Sequence, residues 1–510
     1  MSRTQNSLIN LIVALIGQGL GLIISFIARI FFVKILGTEY LGINGLFTNI
    51  LTMLSLVELG IGPAIVFSLY KPLSENDIKK VKSLMHLYKE AYTIIGIIIL
   101  ILGLILTPFL SLFIKNMPDV PNIHFIFLLF VINSSLSYFF SYKRNLIIAD
   151  QQRYIATAYR YIFFIALNFL QIIFLLITRN YVTFLVLQII STLLENIAIS
   201  KTADKRYPFL KDRQAEKLDT ETVQEIKKNT GAMVLHKIGG IVVKSTDNIL
   251  ISAKVGITWV GLYSNYQLIL NALDLIIGQF FSAITASVGN LGATGNKKKA
   301  LAVFQNIQFI NFWIYSFSAI CFYYIANPFI NWWIGEEFVM NDNVILVLTI
   351  NFYIQGMRKS VLTFRDALGL YWKDRYKPIF EVIINIVVSI MLAPRLGISG
   401  IFIGTIVSTL TTCFWIEPYV LYKYGFESTI RPYFLRYVKN ILLTLMAWYL
   451  TGIFNNFLPE NTNFMLIFKL LICLVIPNIM FLIVFYRTTE FEYFVSIINN
   501  NIVKKITKRH

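Results

Sequence analysis

Charged residues are scarce in this sequence. Only 14% of its 510 residues are Asp, Glu, Lys or Arg, whereas 56% are hydrophobic, and the mean hydropathy is +0.67. Soluble globular domains carry about 25% charged residues. The deficit excludes a cytosolic enzyme, a secreted domain and a disordered scaffold, and it predicts that a lipid bilayer is the main solvent of the chain.

Cysteine and histidine are scarce as well. The three cysteines lie within apolar runs, which argues against a disulfide framework and a cysteine-based metal site. The four histidines are scattered, and the sequence contains no Walker-type phosphate-binding loop, no HExxH pair and no paired catalytic carboxylates in a loop. We therefore expect a protein that is not an enzyme, with no catalytic residues, no metal site and no cofactor beyond a coupling ion.

Long apolar runs are abundant. A hydrocarbon core of about 30 Å takes about 20 helical residues, and continuous runs of this length favour helices over the alternating pattern of a barrel. We therefore predict an all-α polytopic membrane protein with fourteen transmembrane helices. The predicted spans are 8–33, 43–70, 86–114, 124–142, 158–178, 182–200, 231–253, 259–290, 303–330, 344–364, 379–394, 398–421, 435–455 and 464–486.

Basic residues predict the orientation of these spans. The chain has 45 Lys and Arg against 27 Asp and Glu, a net charge of +18. When successive loops are assigned to alternate sides, 35 of the 45 basic residues fall on one side and 5 on the other. Lys and Arg accumulate in cytoplasmic loops, so both termini are predicted to be cytoplasmic in a plasma membrane. This sorting by side, rather than clustering on one element, argues against a nucleic-acid partner.

The chain also contains a weak internal repeat. An offset of 219 residues aligns Gly37 with Gly256 and Gly42 with Gly261, and it aligns the flanking loops on the same side. Spans 1 to 6 are therefore predicted to match spans 7 to 12 in the same orientation, a transporter design with the substrate site between the halves. The predicted domains are an N-terminal bundle (1–200), a cytoplasmic linker (201–229), a second bundle (230–421), two further helices (422–487) and a basic tail (488–510).

Charged residues inside the spans are the best functional candidates, because an ionised group at the bilayer centre costs about 2.5–3.5 kcal/mol on insertion scales. In span 7, Lys237, Lys244, Asp247 and Asn248 share one helical face. Arg29 of span 1 aligns with Asn248 under the repeat. We predict that these five residues line a wet cationic cavity suited to a diphosphate. The alternative is that the lysines snorkel or form a structural pair with the aspartate.

Glu58 of span 2 and Asp274 of span 8 are the remaining deep acids. Either could bind a proton or Na⁺ and so couple an ion gradient to transport. The alternative is a packing acid that is satisfied by hydrogen bonds or lies near a span end.

Three segments resemble a known family. They are ILGTEYLGINGLF after the first span, LVELGIGPAIVFSLY before a basic loop, and TDNILISAKVGITWVGLYSNY in the second half. With fourteen spans, the chain resembles the polysaccharide-exporting, Wzx-like branch of the multidrug/oligosaccharidyl-lipid/polysaccharide (MOP) flippase superfamily.

The resemblance implies two six-helix bundles in a V-shaped MOP/MATE-like arrangement, plus two C-terminal helices. It implies a flippase that moves a polyprenyl-diphosphate-linked oligosaccharide across the bacterial plasma membrane by alternating access, for capsular, O-antigen-like or exopolysaccharide biosynthesis. Membrane lipids and the polysaccharide polymerase machinery would be its partners.

The alternatives are a lipid II-type flippase, a cation-coupled multidrug exporter of the same superfamily, and a membrane polysaccharide polymerase or glycosyltransferase. Such exporters usually have twelve spans and an acidic cavity. Such enzymes usually need a sizeable outer loop, and the longest one predicted here, Asn331 to Asn343, has about a dozen residues.

Overall fold

Every regular element that can be described in this chain is helical, and the described residues contain no strand. The all-α prediction is confirmed. The computed structural model describes residues 3–58, 60–211, 218, 224, 226, 240–243, 245–293, 296–458, 465–493 and 495–496.

The chain forms two compact units, Met1–Ser264 and Asn265–His510. The division between them falls inside a helix. The predicted linker 201–229 and the predicted domain bounds stay predictions, because most of that linker lies outside the described residues.

The helices of the first unit follow the apolar runs, with several interruptions. A 3₁₀ turn, Ser55–Glu58, separates the first two, and a π-helical turn, Ile251–Val255, follows the seventh. The helices are α1 (Arg3–Leu54), α2 (Ile61–Glu75), α3 (Ile78–Leu106), α4 (Ile123–Ala149), α5 (Arg153–Thr178), α6 (Tyr181–Arg206) and α7 (residues 240–243 and 245–250); α8 (Ile257–Ala293) continues into the second unit.

The helices of the second unit are on average shorter. They are α9 (Lys297–Trp333), α10 (Asp342–Met357), α11 (Lys359–Ala367), α12 (Lys377–Leu396), α13 (Ile398–Ser408), α14 (Phe414–Val420), α15 (Arg431–Asn456) and α16 (Met465–Phe485). Two π-helical turns, Thr409–Cys413 and Leu421–Phe426, extend α13 and α14 into one apolar stretch.

Nine helices of the described part are long and apolar enough to cross a membrane, and a bent pair within α4 brings the number to ten. This establishes a multi-pass membrane protein. Many large apolar side chains on these helices are exposed, as contact with lipid requires. The total of fourteen spans and their grouping into two bundles remain predictions.

Two predicted boundaries are wrong in detail. The predicted outer loop from Lys34 to Gly42 does contain the break between two helical segments of α1, but the break is confined to Gly37 and the rest of the predicted loop is helical. The predicted span 43–70 is broken between Ser55 and Gly60, where the chain makes a 3₁₀ turn before α2 begins. Both errors have one cause, because averaged hydropathy registers apolar character and not the backbone conformation of one glycine.

The predicted span 344–364 is also interrupted, because α10 ends at Met357 and α11 begins at Lys359. Arg358 lies at the junction of these helices and turns inward. The predicted cytoplasmic loop that follows is largely structured by α11 and by a 3₁₀ turn, Leu370–Asp374.

Small residues let α3 and α4 approach closely. A side chain on Gly103 would come within 2.4 Å of Val131, and the Ser135 hydroxyl donates to the Gly96 carbonyl over 2.8 Å. Close helix contacts at glycine and serine are the usual packing mode inside membranes. This packing fixes the two helices that carry the tyrosines around Glu58.

Candidate functional site

Two glycines at equivalent repeat positions break the helices that carry the predicted cavity residues. Gly37 has φ 85° and ψ −177°, and Gly256 has φ 145° and ψ 157°. Backbone of this kind is accessible to glycine and costly for other residues. Gly37 follows the segment of α1 that carries Arg29, and Gly256 follows α7 and its π-helical turn, so each break ends a helix with a predicted site residue.

Gly42 and Gly261 form a reciprocal contact one turn beyond these breaks. A side chain on Gly42 would lie 2.1 Å from the carbonyl oxygen of Ile257, and one on Gly261 would lie 2.2 Å from that of Thr38. Thr38 and Ile257 are themselves related by the 219-residue offset. The repeat is therefore realised in space as a two-fold pair of backbone contacts within the first unit.

Arg29 is connected to the Gly42–Gly261 contact by hydrogen bonds. Its Nη1 donates a hydrogen bond of 2.8 Å to the Ser264 hydroxyl, which in turn donates to the Gly261 carbonyl over 2.8 Å. Arg29 is partly buried. The structure thus places a guanidinium beside the paired glycines, as part of a short chain of hydrogen bonds between the two repeats.

The polar end of α7 is buried in the first unit. Asp247 and Asn248 are buried, as is Ser252 on the π-helical turn. The Oδ1 atom of Asn248 and the hydroxyl of Ser252 have no hydrogen-bond partner among the described residues. Lys237 and Lys244 lie outside the described residues. Asp247 and Asn248 are predicted to face a wet cavity, whereas both are buried in this structure.

The π-helical turn changes the local hydrogen bonding. The carbonyl of Ser252 accepts a hydrogen bond of 3.1 Å from the backbone N–H of Lys115, on the segment that connects α3 and α4. Single π-turns recur at functional positions because they widen the helix and release a carbonyl. This one connects the C-terminal end of α7 to the preceding part of the first unit.

Glu58 lies in a cage of tyrosines at the end of the 3₁₀ turn. The Tyr92 hydroxyl donates to its Oε1, and the Tyr138 hydroxyl donates to its Oε2 over 3.0 Å. No Lys, Arg or His nitrogen of the described residues lies within ion-pair distance of the carboxylate. Gly62 leaves room for the cage, because a side chain there would lie 2.3 Å from the Tyr92 hydroxyl oxygen.

The hydrogen bonds continue away from the carboxylate. The Tyr88 hydroxyl donates to that of Tyr92 over 3.4 Å, and the Asn145 amide donates to Tyr88. The rings of Tyr88 and Tyr92 pack edge to face with centroids 4.6 Å apart. Glu58 is therefore the acceptor end of a chain of hydroxyl groups that runs one helical turn along α3.

Asp274 differs from the other predicted residues. It lies on α8 in the second unit, and its side chain is exposed.

The second unit contains a buried ion-pair network that the sequence did not predict. Arg358 binds both oxygens of Glu417, at 3.0 and 2.7 Å, and Lys377 pairs with the same carboxylate. Glu417 is only 1% exposed. Glu381 lies 3.6 Å from Arg358, at the edge of the network.

Arg365 extends the network to the 3₁₀ turn after α11. Its Nη1 donates to Asp374 over 2.7 Å, and Nη2 to Asp366 over 2.9 Å. Burial lowers the pKa of Arg365, but the carboxylates of Glu417, Asp374 and Asp366 raise it above its usual value. Three cations and their carboxylates thus join α10, α11, α12 and α14 at one end of the second unit.

Among the residues that can be described, no group of three or more His, Cys, Asp or Glu side chains has an arrangement that could hold a metal ion.

Comparison with known proteins identifies the family and the fold. Residues 7–287, just over half of the chain, match the model of a family described as "Polysaccharide biosynthesis protein". No curated protein sequence matches the chain significantly.

Several solved structures share the fold at low sequence identity. The lipid II flippase MurJ in an inward closed conformation has a TM-score of 0.66 and 14% identity, over 94% of this chain and 99% of its own. An inward-facing multidrug resistance MATE family transporter of the MOP superfamily has a TM-score of 0.62 and 14% identity, over 78% and 94%. The Vibrio cholerae MATE transporter VcmN has a TM-score of 0.55 and 13% identity, over 82% and 98%.

Proposed function

Since the chain belongs to the family of polysaccharide biosynthesis proteins, we propose that it is a flippase for a polyprenyl-diphosphate-linked oligosaccharide. It would carry this repeat unit from the inner to the outer leaflet of the bacterial plasma membrane, by alternating access, for surface polysaccharide biosynthesis. The family match over residues 7–287 carries the proposal. The fold shared with MOP transporters over most of the chain supports it.

The proposed substrate site comprises Arg29, Lys237, Lys244, Asp247 and Asn248. Arg29 supports this proposal because it is a planar cation that donates a hydrogen bond at the contact between the two repeats. Guanidinium groups bind phosphate oxygens through paired donors. The unpaired Oδ1 of Asn248 supplies an acceptor for a sugar hydroxyl when the site opens.

Glu58 is the proposed coupling residue, and we favour a proton over Na⁺. Both carboxylate oxygens accept hydrogen bonds from neutral phenols, which is an arrangement of donors around an anion rather than of oxygen ligands around a cation. Protonation would convert one carboxylate oxygen into a donor and force a hydroxyl group to turn. Asp274, exposed on α8, is the second candidate for coupling.

The finer layout is part of the same proposal. It includes fourteen spans, two six-helix bundles in a V, two further helices, and both termini in the cytoplasm. The polyprenyl tail would remain in lipid. Membrane lipids and the polymerase machinery are the proposed partners, and nucleic acid is not.

A lipid II-type flippase is the second candidate, because the solved structure of such a protein shares this fold over nearly its whole length. Its substrate also carries a polyprenyl diphosphate, so the proposed cationic site does not separate the two candidates. The sugar does.

Reconstitution tests the proposal. The full-length protein is placed in liposomes that contain either a polyprenyl-diphosphate oligosaccharide or lipid II, and the sugar exposed on the far leaflet is measured with a membrane-impermeant lectin or oxidant. We expect translocation of the oligosaccharide. Translocation of lipid II alone would favour the second candidate, and translocation of neither substrate, with correctly folded protein and an imposed proton gradient, would contradict both.

A further inference from the structure

A small cavity lies in the second unit, and none of the residues that line it belongs to the proposed substrate or coupling sites. It has a volume of about 100 Å³ and lies between the first turns of α9, the first turns of α15 and the end of α16. This is several times the space that one water needs. Its polar lining includes Gln305, Gln308, Arg436, Lys439, Asn440 and Glu490.

Gln308 is the clearest sign that this cavity holds something. Its side chain is 3% exposed, and neither its amide nitrogen nor its carbonyl oxygen has a hydrogen-bond partner among the described residues. A buried polar group without a partner costs about 1–3 kcal/mol. Such exceptions call for a bound water, ion or ligand. Asn440, also buried, lines the same cavity from α15.

The charge of the lining is positive. Arg436 and Lys439 are three residues apart on α15, so they project from the same helical face. Glu490 lies 3.5 Å from Arg436, whereas Lys439 has no carboxylate within ion-pair distance among the described residues and lies over the Phe485 ring at 5.1 Å. Two cations against one carboxylate, with amide donors beside them, favour a phosphate group.

The surroundings of the cavity are apolar and exposed. Leu435, Val438 and Leu442 alternate with the two basic residues along α15, and each is more than half exposed. Ile483 of α16 is similarly exposed. An anion that reaches Lys439 along this surface would have to carry apolar chains of its own, as a membrane lipid does.

We propose that this cavity binds the phosphate group of an anionic phospholipid, with its acyl chains against the exposed apolar side chains of α15 and α16. The basic residues at this end, including Lys297 and Arg431, place it on the side predicted to be cytoplasmic. The lipid would therefore come from the inner leaflet. The phosphate of the headgroup would occupy the space beside Gln308, and its binding involves no proton transfer.

Native mass spectrometry of the full-length protein tests this site without reference to flipping. The protein in detergent is titrated with phosphatidylglycerol, with phosphatidylcholine and with inorganic phosphate. We expect retained phosphatidylglycerol and little of the other two. Equal retention of phosphatidylcholine would overturn the proposal. Equal affinity for inorganic phosphate would show a free-anion site and overturn the assignment to a lipid.

Variants locate the binding. Arg436→Gln combined with Lys439→Gln removes both charges, and we expect phosphatidylglycerol affinity to fall about tenfold or more, which corresponds to the loss of one charge-assisted hydrogen bond. Gln308→Leu should also weaken phosphatidylglycerol binding, although Arg436 and Lys439 keep their charges. Lys298→Gln, an exposed basic residue at the same end of α9, is the matched control. Unchanged affinity in the double variant would overturn the proposal.

Discussion

Glu58 and Glu417 are both carboxylates within apolar segments, but their neighbours differ in charge. Tyrosine hydroxyls surround Glu58, whereas Arg358 and Lys377 both pair with Glu417. Nearby cations favour the ionised form of a carboxylate and bind it in place. Neutral donors can reorient when a proton arrives. The first arrangement suits a switch, and the second suits a permanent connection between helices.

Glu58→Gln is expected to remove proton coupling. Glutamine keeps an acceptor for one tyrosine but cannot exchange a proton, so substrate-driven proton movement should disappear from proteoliposomes that report internal pH. Tyr92→Phe should reduce proton movement to a lesser extent, because the Tyr138 hydroxyl still donates a hydrogen bond to the carboxylate. Glu75→Gln, an exposed acid at the end of α2, is the control. Wild-type proton movement in Glu58→Gln would contradict the role.

Arg29→Gln is expected to lower oligosaccharide translocation at least about tenfold, because a charge-assisted contact to phosphate is worth roughly 1.5–3 kcal/mol. The translocation rate of Arg29→Lys should lie between the rates of wild type and Arg29→Gln, since lysine keeps the positive charge but lacks the planar guanidinium group. The measurement is the lectin assay in proteoliposomes at matched protein levels. Arg395→Gln, an exposed arginine of α12, should leave translocation unchanged. Equal rates for Arg29→Gln and wild type would remove Arg29 from the site.

At the scale of the element, the glycine contact is the structural counterpart of the repeat. The 219-residue offset was visible in the sequence as two aligned glycine pairs. The sequence could not show that Gly42 contacts Ile257, or that Gly261 contacts Thr38, the residue equivalent to Ile257 in the first repeat. Two equivalent surfaces on one chain bind each other as in a symmetric dimer.

Gly42→Ala and Gly261→Ala are each expected to destabilise the protein by about 1–3 kcal/mol, the usual cost of overpacking. The added methyl group would fall within 2.2 Å of a carbonyl oxygen in both variants. Thermal unfolding in detergent measures the effect. A side chain on Gly19, in the segment of α1 before Gly37, would meet nothing within 4 Å, so Gly19→Ala should unfold at or slightly above the wild-type temperature. A loss of stability in Gly19→Ala as large as that in Gly42→Ala would refute the packing explanation.

The ion-pair network gives a second test at this scale. Glu417→Gln leaves Arg358 and Lys377 buried with too little negative charge, and removing one partner of a buried pair typically costs about 3–5 kcal/mol. The free energy of unfolding should fall accordingly. Glu427→Gln removes an exposed acid that pairs with Lys297, and it should cost less than about 1 kcal/mol.

A double variant separates charge from packing. Arg358→Met combined with Glu417→Gln should be less destabilised than the sum of the two single variants, because the uncompensated arginine is removed together with its partner. Strict additivity would show that the two side chains do not interact as the structure indicates.

For the whole molecule, the sequence predicts the apolar helices and the family well, because both depend on features averaged over many residues. The predicted loops between spans 1 and 2 and between spans 7 and 8 do contain Gly37 and Gly256, but averaged hydropathy gives neither the short length of these breaks nor their backbone angles. The ion pairs were missed for a different reason. Arg358 and Lys377 are 59 and 40 residues from Glu417 in the sequence. Counting the basic residues on each side of the membrane does not show which carboxylate each of them pairs with.

The predicted orientation can be tested on the intact chain. Fluorescent protein fused to the C-terminus folds and fluoresces in the cytoplasm, whereas alkaline phosphatase is active only outside it. We expect fluorescence and no phosphatase activity, because 35 of the 45 basic residues fall on the side of the C-terminus when the predicted spans alternate across the membrane. The opposite pattern would reverse the orientation and place the proposed phospholipid site in the outer leaflet.

The tyrosine cage around Glu58 also bears on energetics. Under the proposed coupling, one carboxylate would carry one proton in each cycle, and moving one elementary charge across the membrane is worth about 2.3 kcal/mol per 100 mV. Since each 1.4 kcal/mol is about a tenfold ratio, one proton at about 100 mV supports roughly a 50-fold difference in substrate concentration between the leaflets. In the proposed mechanism, a single side chain would thus set the share of a lipid-linked sugar gradient that the proton sustains at a given membrane potential.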